Sequence, residues 1–204
     1  GKDEWAVAVA FLYDRTRDFA REGLGDLSKF EALTALAAHF FALAKVEWGV
    51  FEVGLGGRYD ATNAWDSEVA VLTRVGLDHV GILGNTTVEI AADKVHIARA
   101  GKALYTTAAQ EDAVLELLRA TCAERQIDLS VVDAVPPAGA QGIGRAGSYG
   151  ENAALALAVA RGMGLAAAAD VADSVVVEHQ WPGRFERASQ EPLVVLDGGH
   201  NPQA

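Results

Sequence analysis

The chain has 204 residues, half of them hydrophobic and 22% charged, with a net charge of −11. That apolar share supports a packed core and excludes a disordered chain. The acidic balance repels phosphate backbones and argues against a nucleic-acid partner, so an anionic ligand must be held by local groups or metal ions. No apolar run reaches the roughly 18 residues that a membrane span requires. The single Cys122 cannot form an internal disulfide, which fits a reducing compartment. The sequence opens at Gly1 and stops at Ala204 just after a motif, so both ends read as cut from a longer parent.

Apolar periodicity predicts helices over residues 5–21 and 27–44, the second opened by Ser28 and Glu31 in the S-x-x-E spacing of a capping box. Residues 48–53 read as a buried strand, followed by a turn containing Gly54, Gly56 and Gly57. A strand is expected over 69–73, and then a helix over 86–99 with a second capping box, Thr86 with Glu89. A strand at 103–106, a helix at 111–125 and a strand at 129–132 follow. A Pro/Gly-rich loop at 136–147 leads to an alanine-rich helix over 151–162. Residues 171–177 fit either helix or strand, and a strand over 193–196 runs into Asp197-Gly-Gly-His-Asn-Pro202.

Strands alternating with helices imply an α/β fold with a mostly parallel sheet flanked by helices. Ligands bind beyond the carboxyl ends of such strands. The Pro182-Gly183 turn, ahead of a new strand pattern, marks a boundary between a first domain over 1–181 and the start of a second α/β domain over 182–204.

Several polar residues sit where chemistry is expected. Glu52 interrupts an apolar strand; a charge buried there needs a partner or a metal, and Arg58 or Arg74 could supply an ion pair. Asp78-His79 follows the strand at 69–73 and offers a carboxylate and an imidazole to a divalent cation, which would keep waters and substrate phosphates as further ligands. Lys94 falls on the helix face of Ile90 and Ile97. Either its stem packs while its amine reaches water, or the amine is buried and nucleophilic and can take up CO₂ as a carbamate, a carboxylate-like metal ligand. The turn after residue 196 could present amides and side chains to an anion.

Taken together, Phe51-Glu-Val-Gly-Leu-Gly-Gly-Arg-Tyr-Asp-Ala-Thr-Asn63, Gly76-Leu-Asp-His79, Lys94, Trp181-Pro-Gly-Arg-Phe-Glu186 and Leu196-Asp-Gly-Gly-His-Asn-Pro202 resemble, in this order, the folylpolyglutamate synthase/dihydrofolate synthase family of the Mur ligase superfamily. The resemblance runs from about Ser28 to Ala204. It implies a P-loop-type central ATPase domain, truncated here, joined to a smaller α/β domain. It also implies an ATP-dependent ligase that activates a substrate carboxylate as an acyl phosphate and couples it to the amine of L-glutamate. The expected substrates are dihydropteroate, folates or both, with Mg²⁺ as cofactor, in a cytoplasmic monomer that binds neither nucleic acid nor membrane.

By position, the resemblance implies Mg²⁺ binding by Glu52 and His79, with carbamylated Lys94 supporting the metal site and His200 also catalytic. It implies ATP contacts by Asn152, Arg184 and Asp197, and a pterin pocket lined by Ser28, Lys29, Phe30 and Glu31 and by Tyr59, Asp60 and Ala61. For Ser28 and Glu31 the capping role stands beside this one.

Some features depart from the family. Its phosphate-binding loop, Gly-Thr-Asn-Gly-Lys-Gly-Ser, has no match, and Gly1-Lys2-Asp3 is not its remnant, so the loop and its metal-binding serine are expected upstream of residue 1. The isolated chain is therefore expected to be inactive and to expose apolar surface. Arg74 stands where Asn or Ser is usual, Gly199 where Ala is usual, and Val95-His96 where Ala-Gly is usual; His96 narrows the pocket or faces solvent. A Mur-type peptidoglycan ligase and a non-catalytic pterin-binding relic are the competing readings.

Overall fold

The sharpest local signal, the capping box, forms. In this computed structural model, which describes residues 1–19, 21–133, 148–165, 182–183 and 186–199, α2 spans Lys29–Ala44. Ser28 Oγ accepts from the Glu31 amide at 3.2 Å, and the Ser28 amide donates to the Glu31 carboxylate at 2.8 Å. Two amides that a helix start leaves free are thereby satisfied. The preceding helix α1, Lys2–Thr16, packs on α2 through Trp5 and Phe40, whose ring centroids lie 5.2 Å apart.

The chain divides into two compact units, residues 1–65 and 66–204. In the first, the strand expected over 48–53 does not form. A strand exists only with a hydrogen-bonded neighbour, and this segment has none among the described residues. It is held by rings instead. Phe51 stacks on Trp65 at 5.0 Å and meets Phe41 of α2 edge-on at 5.5 Å. Residues 48–52 are all exposed, Val50 at 91%.

The second unit carries the α/β pattern. β1 (Val69–Leu72), β2 (Ala103–Thr107) and β3 (Asp128–Val132) form a parallel sheet in that order. Val69 lies opposite Ala103, which lies opposite Asp128. Helices α3 (Thr87–Lys94) and α4 (Asp112–Glu124) make the crossovers. The second capping box also forms, with Thr86 Oγ1 accepting from the Glu89 amide at 3.1 Å.

Strand residues alternate in facing. Ala70, Leu72 and Leu104 enter one core with Ile90, Ala91, Val114, Leu118 and Cys122 from α3 and α4. Tyr105 belongs to the other face, where α5 (Ser148–Gly162) packs. A Cβ on Gly162 would lie 2.0 Å from the Tyr105 hydroxyl, so only glycine lets α5 approach that closely. Helices thus cover both faces of the sheet, as expected.

The predicted strand at 193–196 forms as β5 (Leu193–Leu196), but in an antiparallel hairpin with β4 (Glu186–Gln190), whose polar sequence hid it. The expected loop at 136–147 and the ambiguous segment at 171–177 lie outside the described residues, as does residue 181 beside the expected domain boundary. No helix among the described residues is long and apolar enough to cross a membrane.

Candidate active site

In the first unit, the glycine-containing turn is organised by one carboxylate. Asp60 Oδ2 accepts from the amides of Gly54 and Leu55 at 3.0 and 2.9 Å. Its Oδ1 accepts from the Thr62 amide and hydroxyl at 2.9 and 2.5 Å, which caps a short 3₁₀ turn over Ala61–Ala64. Partial burial pushes this carboxyl up, but the Thr62 hydroxyl and the amides of Leu55, Thr62 and Gly54 outweigh it and hold it below the usual carboxylate range.

Of the residues expected to line a pterin pocket, Tyr59, Asp60 and Ala61 belong to this stretch, and Phe30 reaches it from α2. The Phe30 ring lies over Gly54, where a Cβ would sit 2.7 Å from Cζ. Tyr59 is 85% exposed, with the Arg58 guanidinium 5.2 Å from its ring centroid. Ser28 and Glu31 are engaged in the capping box, and the Ser28 hydroxyl and amide lower the Glu31 pKa. Lys29 opens α2 at the surface.

Glu52 corrects an expectation. It is exposed, since the strand meant to bury it is absent. Arg74 Nη1, offered by the sequence as an ion-pair partner for Glu52, faces Glu151 Oε1 of α5 at 3.6 Å.

At the carboxyl rim of the sheet, His79 adopts φ 50, a left-handed conformation unfavourable for a residue with a Cβ. Three bonds hold it there. Its amide donates to Asp78 Oδ1 at 2.8 Å, and its carbonyl accepts from the Ile82 and Leu83 amides at 3.0 and 3.2 Å. The imidazole is exposed, with Nε2 3.9 Å from Asp78 Oδ1.

Lys94 is the last residue of α3, and Val95–Ile97 continues as a 3₁₀ turn. The tighter turn breaks the spacing that placed Ile97 above Lys94. The buried stripe is Thr87, Ile90, Ala91, Val95 and Ala98, so Lys94 lies half-buried at its edge, not on it. His96 is half-buried too, with Nδ1 3.1 Å from the Asp93 carbonyl.

Glu52 lies in the first unit, and His79 and Lys94 in the second. Among the described residues, no three His, Cys, Asp or Glu side chains form a metal-holding group, so no all-protein cage is present there.

Asn152 is exposed just after the first turn of α5. Asp197 follows β5 and accepts from the Gly199 amide at 2.6 Å. Arg184 and His200 lie outside the described residues.

No family model matches the chain. Individual proteins do. A dihydrofolate synthase/folylpolyglutamate synthase of Bacillus subtilis is 33% identical over 98% of this chain and 52% of its own length. Over nearly its whole length the chain is similar to the folylpolyglutamate synthase/dihydrofolate synthase family. A probable bifunctional folylpolyglutamate synthase/dihydropteroate synthase of Halobacterium salinarum is 35% identical over 86% of the chain and 24% of its own length. The chain thus spans between a quarter and about half of these family members. Among solved structures, an FPGS–AMPPCP–folate complex superposes with a TM-score of 0.82 at 28% identity, covering 97% of this chain and 54% of that one.

Sequence reasoning missed Gln110, which is buried behind the rim. Its Oε1 accepts from the Val75 amide at 2.8 Å, and its Nε2 donates to the Thr73 carbonyl and Thr106 Oγ1, each at 2.9 Å. A lone glutamine in a polar turn gives no signal in sequence; only the parallel register brings it behind β1.

Proposed function

We propose that the full-length protein is an ATP-dependent carboxylate–amine ligase that adds L-glutamate to dihydropteroate, to folates or to both. The observation that carries this reading is the shared fold with a structure holding both an ATP analogue and folate. Sequence identity to folylpolyglutamate and dihydrofolate synthases supports it.

The chemistry follows from the substrates. A carboxylate is a poor electrophile, so the substrate carboxylate attacks the γ-phosphorus of ATP, and the bond to the β–γ bridging oxygen breaks to release ADP. The glutamate amine then attacks the acyl phosphate carbon; phosphate leaves, the amine loses a proton, and an amide remains. Bound Mg²⁺ offsets the charge gathered on the phosphates.

In this reading Glu52 and His79 hold Mg²⁺, with carbamylated Lys94 in support. The left-handed backbone at His79 supports its part, because such strain concentrates at functional sites. Lys94 at the edge of the buried stripe has the partly desolvated stem a carbamate-forming lysine needs. Asn152, Arg184 and Asp197 contact ATP, and His200 assists catalysis. The turn that Asp60 organises, with Tyr59, Ala61 and Phe30, forms the pterin pocket, and Ser28, Lys29 and Glu31 border it. Residues 1–181 belong to the ATPase domain and 182–204 open the second. The enzyme is a cytoplasmic monomer.

The full-length protein is expected to form ADP only when ATP, a pteroyl substrate and glutamate are all present, measured by coupled ADP release. Equal release with UDP-muramoyl peptides would overturn the folate assignment, and release with neither would leave a pterin-binding relic.

A further inference from the structure

Arg74 lies two residues beyond the carboxyl end of β1, and the structure gives that arginine an unusual mounting. Gln110 pins the backbone on both sides of it, accepting from the Val75 amide and donating to the Thr73 carbonyl. Thr106, which also receives a bond from Gln110, donates to the Leu72 carbonyl at 2.8 Å. The end of β1 is therefore braced through buried side chains of the neighbouring strand and of the turn that follows it.

The side chain is tethered as well. Arg74 Nη1 lies 3.6 Å from Glu151 Oε1. The Glu151 side chain is only 10% exposed, and its Oε2 has no hydrogen-bond partner. A buried carboxylate requires a cation nearby, so Glu151 fixes where the guanidinium sits. Arg74 itself remains 52% exposed. A guanidinium carries five N–H donors, and no second ion-pair partner for Arg74 is found among the described residues. Its free donors are oriented at the rim of a parallel sheet, the place where such folds receive ligands. In a chain of net charge −11, this is a local positive centre with its geometry set in advance.

We propose that Arg74 binds an oxyanion of a substrate, a phosphate or carboxylate oxygen, and that Glu151 and Gln110 are positioning residues for it. The proposal deepens the ligase reading and rests on it, since each substrate of that reaction presents one of these groups. A planar guanidinium grips either through paired hydrogen bonds, which a lysine ammonium supplies only as a point charge.

The test uses the full-length protein and two variants. R74Q/E151Q removes both charges, so no buried carboxylate is left unpaired, and R74K keeps the charge without the fork. KM for ATP, for the pteroyl substrate and for glutamate is measured separately. The double variant is expected to raise one of them about tenfold or more, the loss of a charge-assisted hydrogen bond, and R74K to recover part of it. A shift in KM for ATP identifies a phosphate; a shift for either other substrate identifies a carboxylate. All three KM values and kcat within about twofold of wild type in R74Q/E151Q would overturn the proposal. If the wild-type protein forms no amide, the ligase reading fails by itself, and calorimetric binding of tripolyphosphate and of glutarate decides the matter for Arg74. Binding by wild type and not by the double variant supports the proposal; equal binding, or none by wild type, overturns it.

Discussion

The Asp60 carboxylate closes on the amides of Gly54 and Leu55 at 3.0 and 2.9 Å, so the last part of the Glu-Val-Gly-Leu-Gly-Gly-Arg-Tyr-Asp signature folds back on its first glycine. The residue that reads in sequence as a pocket-lining acid holds the backbone of the turn with both of its oxygens.

That role has a pH signature. The folded pKa of Asp60 is lowered, so its contribution is present above the ordinary value of 3.8 and is lost as pH falls through the folded value. Asp60→Asn is expected to cost about 1 kcal/mol at neutral pH, the scale of a partly exposed charge-assisted bond. Urea unfolding should show the gap between variant and wild type narrowing as pH falls below 3.8. A gap independent of pH would contradict the assignment.

Gly54 and Phe30 form a second pair that can be tested. A methyl at Gly54 meets the ring edge of Phe30 at 2.7 Å. Gly54→Ala should destabilise the protein by about 1–3 kcal/mol, and Phe30→Leu in the same chain should return part of that. A double-mutant cycle with no coupling would show that the ring does not hold its place over Gly54.

His79 separates stability from activity. Its φ of 50 suits glycine better than a residue with a Cβ. His79→Gly should therefore be about 1 kcal/mol more stable than His79→Ala, while both lose turnover. Thermal unfolding compared with coupled ADP release checks this; an active His79→Gly would remove the imidazole from the mechanism.

The half-buried position of Lys94 at the end of α3 yields another expectation. Lys94→Ala should abolish turnover in the full-length enzyme, and millimolar acetate or formate should restore a fraction by standing in for the carbamate. Wild-type turnover without added carboxylate would exclude the carbamate role.

Much of the fold is legible in the sequence because its signals are local. Ser28 with Glu31 and Thr86 with Glu89 form the expected capping boxes, and short β-branched runs become β1 and β3. What fails depends on distant partners. Residues 48–53 have the composition of a strand but no strand neighbour among those described, so Glu52 is exposed and not buried. Lys94 fits an ideal helical stripe, but α3 tightens into a 3₁₀ turn after it and shifts the stripe to Val95 and Ala98. Motif spelling names Asp60 and His79, while the bracing by Gln110 and the tether from Glu151 exist only once β1, the turn after β2, and α5 are packed.

The central claim is activation of a carboxylate by phosphorylation, and isotope transfer reads it directly. The full-length protein is supplied with ATP, glutamate and a pteroyl substrate whose carboxylate carries ¹⁸O, and the released phosphate is analysed by mass spectrometry. The account predicts that each phosphate released with amide formation carries one oxygen from the substrate carboxylate. Amide formed with unlabelled phosphate would contradict it.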